Sequence, residues 1–169
     1  MNLPAPIWRR CIAAVYDGLL LVGLWMVALV IDTVVRDLFA LDRNWAALRA
    51  YLFLVGLCFF SWSWTHGGQT LGMRTWRLRV QRSNGLPLRW LDAALRYALM
   101  LLCWGIVLTP ALLQLPQLAG RANAATIAAG ALLAVAAGLL STALDTRRRA
   151  PQDRLSRTEL VVLPAESRR

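Results

Sequence analysis

Arg10 and Asp17 carry opposite charges within one apolar stretch near the start of the chain. Seven steps at 3.6 residues per turn come to about 700°, so the two share a helix face, roughly 10 Å apart along the axis. A charge at the centre of a membrane helix costs about 2.5 to 3.5 kcal/mol on insertion scales, which disfavours an Asp17 left alone in lipid. Two chemistries follow. Arg10 leaning on Asp17 forms an ion pair that locks the helix into a bundle. Alternatively, Asp17 exchanges a proton or cation while Arg10 tunes its ionisation, since a nearby positive charge lowers a carboxyl pKa and burial raises it. Asp92 and Arg96 stand at i, i+4, the spacing of a pair on one helix, and Asp145 lies beside Arg147 to Arg149.

Other reactive residues predict less. His66, the only histidine, reads as a satisfied interfacial residue rather than a proton relay. Ser61, Ser63 and His66 are close in sequence, but no separate second catalytic group accompanies them, so no enzyme is expected. In HGGQTLGMR, Gly67 and Gly72 have the spacing of a phosphate-binding loop, yet Met73-Arg74 stands where Lys-Ser/Thr is required and an apolar span precedes it. Cys11, Cys58 and Cys103 fall one in each of three apolar runs and read as small buried residues without metal or disulfide spacing. No cofactor or metal is expected.

These residues need elements to hold them. In 169 residues, 58% hydrophobic with mean hydropathy +0.50, the composition is too apolar for an ordinary soluble domain. Runs of roughly 20 apolar residues predict membrane-spanning helices at about 11–35, 46–64, 91–115 and 124–144. They form one domain, 1–163, followed by a short basic tail, 164–169. The first run follows Arg9 and Arg10 but is too long for a signal peptide and contains Asp17, so it reads as a permanent helix. Thr126, Gly130, Ala134, Gly138 and Thr142 make a stripe of small residues suited to close helix packing, within the chain or between copies. Pro110 predicts a kink in the third span.

All nineteen basic residues are arginine. Arg9 and Arg10 precede the first span, five from Arg74 to Arg89 lie between the second and third, and seven follow the fourth, whereas the other side holds Arg36, Arg43, Arg49 and Arg121. The positive-inside rule then predicts cytoplasmic termini and a cytoplasmic central loop. The net charge of +10 suits contact with anionic lipid headgroups. Because the arginines flank spans and no independent module displays them, a nucleic-acid partner is not expected. Within the central loop, Trp76, Leu78 and Val80 alternate with Arg77, Arg79 and Gln81. With Ser83-Asn84-Gly85 as a turn, this predicts a strand from Thr75 to Gln81 returning through Leu86 and Leu88, a β-hairpin resting on the helix ends.

RRCIAAVYD resembles the opening signature of the RDD membrane-protein family, an arginine at the start of the first helix and an aspartate inside it, matched by Arg10 and Asp17. GGQTLGMRTWRLRVQRSNG is similar to that family's glycine-threonine-leucine-glycine turn and following strand, with Gly68, Thr70, Leu71 and Gly72 in the matching places. APQDRLSRTELVV resembles its closing segment and puts Asp153 at the second family aspartate, with Thr158 and Val161 nearby. Gln152 stands where family members commonly carry histidine, and Ser156-Arg157 replaces Ala-Gly. A cytoplasmic Asp153 is expected to bond the hairpin arginines or to reach back to Arg10 at the same membrane face, and the activity the resemblance suggests is transport of ions or small ligands.

The expectation is an all-α bacterial inner-membrane protein with four transmembrane helices and a short cytoplasmic β-hairpin between helices 2 and 3. It works as a transporter, for example by cation/proton exchange, with Arg10, Asp17 and Asp153 as its polar site. Four spans are few for alternating access, so enclosing a path calls for a homo-oligomer. The alternative is a non-catalytic membrane scaffold or assembly factor, which needs only the ion pair, the small-residue face and the basic surface.

Overall fold

The computed structural model describes residues 3–115, 123–146 and 149–163; the tail at 164–169 lies outside them. Along the chain run β1 (Leu3–Pro4), α1 (Ile7–Phe39), α2 (Trp45–His66), the short α3 (Leu71–Thr75), β2 (Leu78–Arg82), α4 (Trp90–Leu112), α5 (Ala124–Leu144), the short α6 (Pro151–Leu155) and β3 (Thr158–Val162). The expected class holds: α1, α2, α4 and α5 are long and apolar enough to cross a membrane. Their ends follow local chemistry. Ala40, left-handed at φ 49°, stops α1, and the Asn44 side chain starts α2 by accepting the N–H groups of Ala46 and Ala47 at 3.0 and 3.1 Å. α1 outruns the predicted span at both ends and takes in Arg36, which pairs with Asp32 at 2.7 Å across one turn.

The hairpin needs correction. Thr75 belongs to α3, because the Thr70 hydroxyl accepts the Met73 N–H at 3.2 Å and caps a helical turn, and Arg77 takes a left-handed φ of 54° before the strand begins. Gly85, at φ 79°, turns the chain as expected, but residues 86–89 form no strand. The partner of β2 is β3, in an antiparallel sheet of order β1-β3-β2. Pro87 has no N–H to give a ladder, whereas β3 pairs with β2 along all five residues.

α1 packs on α2 and α3, α2 on α4, and α4 on α5. The α2–α4 seam is aromatic: Tyr97 stacks on Phe60 with centroids 5.7 Å apart, and a methyl at Gly56 would collide with the Tyr97 hydroxyl. At the sheet end, Ala5, Leu78, Val80 and Leu160 continue the same core.

The chain repeats its own plan. Two long helices, a five-residue helix, an arginine at positive φ and a five-residue strand occur twice, as α1-α2-α3-Arg77-β2 and α4-α5-α6-Arg157-β3. The short helices, arginines and strands are offset by 80 residues. Val80 pairs with its own counterpart Leu160, and Leu78↔Val162 mirrors Arg82↔Thr158. Beyond the ladder, Ser83 N–H donates to Arg157 O at 3.1 Å and Leu163 N–H donates to Arg77 O at 2.8 Å, one bond being the two-fold image of the other. Each half has two spans, so the relating axis runs along the membrane normal.

Candidate functional site

Asp17 sits inside α1 and is buried. Its partners are not arginines. The Thr70 hydroxyl donates to one carboxylate oxygen at 2.7 Å and the Gly72 N–H donates to the other at 3.2 Å. The motif turn thereby acquires a physical account. Gly68 holds φ 66° where a Cβ would lie 2.9 Å from Val80 O, and its own carbonyl accepts the Val80 N–H at 2.7 Å. Thr70 caps α3 and bonds Asp17 with the same hydroxyl, while Leu71, the first residue of α3, points outward and is exposed. Gly72 lets α3 press onto α1, since a Cβ there would meet Ala13 O and Asp17 Oδ1 at 2.7 Å each. The expected Arg10–Asp17 pair is not formed, because the α3 turn satisfies Asp17 within its own half.

Arg10 instead reaches Asp153 at 2.8 Å, one of the two partners expected for Asp153 at that membrane face. Arg96 joins them, one guanidinium nitrogen donating to Asp153 and to the Thr158 hydroxyl, the latter at 2.7 Å. Asp153 is 1% exposed and also accepts the Ala150 N–H at 3.1 Å. Burial alone would push this carboxyl up, but the Arg96 and Arg10 guanidiniums pull it down further, so it titrates below the ordinary carboxylate range. The clasp ties α1, α4, α6 and β3 together. The predicted Asp92–Arg96 pair is therefore also corrected: Asp92 takes Arg82 at 2.8 Å, since Arg96 is turned inward to Asp153. Asp145 does pair with Arg149, at 3.1 Å, and the hydrogen bonds from Arg149 hold its carboxyl down at about 2.

Arg10, Asp17, Arg96 and Asp153 converge on the polar end of a cavity of about 360 Å³ between α1, α4 and α5. Away from them the walls are apolar, among them Ala14, Met100 and Val107. Ala134, Gly138 and Thr142 line it too, so this part of the small-residue stripe faces space rather than a close-packed helix. Gly130 has nothing within 4 Å of where a Cβ would stand. His66 is exposed and stacks on Trp62, centroids 3.7 Å apart; Ser63 bonds the Phe59 carbonyl at 2.9 Å. Cys11 and Cys58 are exposed on their helices and Cys103 is half-buried, against the expectation that all three are buried. Among the described residues no group of histidine, cysteine and acid side chains could hold a metal ion.

Sequence reasoning assigned Arg96 to the wrong partner and did not notice the repeat. A signal was present: Arg74-Thr-Trp-Arg77 and Arg154-Leu-Ser-Arg157 share spacing at the 80-residue offset. Comparison with curated proteins and with solved structures gave no match. The model of the RDD family matches residues 4–157, a span that includes both aspartates, the glycine turn, Arg10 and Arg96. Four membrane-crossing helices and that match make this multi-pass membrane protein a member of the RDD family.

Proposed function

We propose that the protein binds and moves a small cation across a bacterial inner membrane, with Asp17 as the exchanging group and both termini in the cytoplasm. One observation carries this reading. Asp17 lines the cavity with no ion pair among the described residues, whereas Asp153 is held by two arginines. A buried carboxylate bonded only by a hydroxyl and an amide is free to gain and lose a proton or cation partner; one clamped by two guanidiniums is not. Arg10, Arg96 and Asp153 then act as the fixed wall of the site. In the sequence, fourteen of the eighteen arginines outside the third span flank the termini and the central loop, which supports the orientation.

The test is flux in liposomes containing the purified protein, with monovalent cations and an imposed pH gradient. Asp17→Asn abolishes exchange and Asp145→Asn retains it if the reading holds. Undiminished flux through Asp17→Asn rejects it. The scaffold reading draws on the sheet, which ties β1 and β3, the two ends of the described chain, to the central loop; it expects a folded Asp17→Asn protein to keep its function in cells.

A further inference from the structure

The two-fold plan makes α4 the counterpart of α1 and α5 the counterpart of α2. α2 packs on α4, so symmetry calls for α5 to pack on α1, yet these two hardly touch, and the cavity opens between them. At the closed seam Tyr97 reaches over Gly56 and stacks on Phe60. Eighty residues earlier, the counterpart of Tyr97 is Asp17; eighty residues later, the counterpart of Phe60 is Leu140, which is exposed. The equivalence extends along the helices, since Ala13 and Ala93 are buried alike. Asp17 is too short to bridge the gap and is turned to Thr70 and Gly72.

We propose that this unclosed seam binds a hydrophobic organic cation, with its charged end at Asp17 and its apolar body where the Tyr97 ring lies in the other half. This deepens the reading of Asp17 as the exchanging group and rests on it. The lining selects the ligand class. A bare metal cation asks for about six oxygen ligands, and the wall beyond Asp17 is built from side chains such as Ala14, Met100, Val107 and Leu139 that offer none. An ionised carboxylate has about four acceptor positions, of which Thr70 and Gly72 occupy two, so Asp17 has capacity for an ammonium or a delocalised charge. Met73 and Met100 adapt to irregular apolar shapes, while the Trp64 indole already carries the Arg96 guanidinium 5.3 Å from its ring centroid. Arg10 and Arg96 face this end as well, but both are drawn onto Asp153. A volume of about 360 Å³ lies within the range of roughly 300 to 1,000 Å³ of small-molecule sites.

The experiment titrates ethidium, a planar fluorescent cation, onto the full-length protein in nanodiscs of zwitterionic lipid and reads anisotropy, with thermal melting of every variant. Expected are saturable binding, weakening of tenfold or more in Asp17→Asn and in Ala134→Phe, and unchanged binding in Asp145→Asn. Ala134→Phe fills the seam and leaves Asp17 intact, so it decides the matter where Asp17→Asn does not fold. Absence of saturable binding, equal binding by both variants, or displacement of ethidium by palmitate in an Arg96-dependent manner overturns the proposal. Asp17-dependent ethidium binding without flux in liposomes keeps this site and removes transport. Asp17-dependent sodium or potassium exchange by a protein that does not bind ethidium does the reverse.

Discussion

Removing the charge of Asp153 leaves Arg10 and Arg96 without the acid on which both converge, inside a site that is 1% exposed at the carboxylate. Asp153→Asn therefore destabilises the fold by about 3 to 5 kcal/mol, the usual cost of breaking a buried ion pair from one side, measured by melting in detergent. Replacing Arg96 and Asp153 together with leucines returns part of that loss; a double variant worse than the single one contradicts the assignment. The same clasp sets an acid limit. Because the folded carboxyl titrates below its ordinary value, its contribution is complete above the unfolded value of about 3.9 and is lost as pH falls below it. The melting temperature is thus insensitive to this group from pH 5 to 8 and drops below pH 4, and Asp153→Asn removes that part of the drop. At this scale the sequence told which residues matter better than whom they meet. Arg10, Asp17, Arg96 and Asp153 were all legible as charges in or beside apolar runs. Their pairing was not, because periodicity ranks partners seven or four residues apart, and the Arg10–Asp153 contact spans 143.

Helix seams and strand entries are where the glycines and the αL residues act. Gly56→Ala drives a methyl into Tyr97 and separates α2 from α4, whereas Gly23→Ala, with nothing within 4 Å of its new methyl, is tolerated. A melting difference of less than about 1 kcal/mol between the two would contradict the described seam, since overpacking a close contact costs about 1 to 3 kcal/mol. Arg77 and Arg157 hold φ near 54° and 53°, a region that costs a side-chain-bearing residue about 1 kcal/mol or more. Arg77→Gly is accordingly neutral to stabilising, and Gly85→Val, at φ 79°, is destabilising by about 1 to 3 kcal/mol. The four spans were readable because twenty apolar residues in a row admit little else. The strand Leu78–Arg82 was readable from alternation; its partner was not, because the nearest apolar residues, Leu86 and Leu88, flank a proline and the true complement lies 80 residues on.

For the molecule as a whole, the sheet and both short helices gather at one end of the spans, and the 40–44 connection, the end of α4 and the start of α5 at the other. Cysteines introduced at Asn44 and Asn123 are expected to label from outside an intact cell, and those at Asn84 and Arg154 are not. Labelling of Asn84 from outside inverts the topology. The placement of β3 has a last consequence, for biosynthesis. The central strand of the sheet follows every span in the sequence. At about 5 to 20 residues per second, β2 waits roughly 4 to 16 s for its partner to leave the ribosome, with its edge unpaired and Asp153 not yet made. Until then Arg10 and Arg96 stand without their shared acid in a half-built bundle. A nascent chain stalled before Thr158 is thus a marked target for membrane proteolysis, and completion of the last strand is the event that removes the mark.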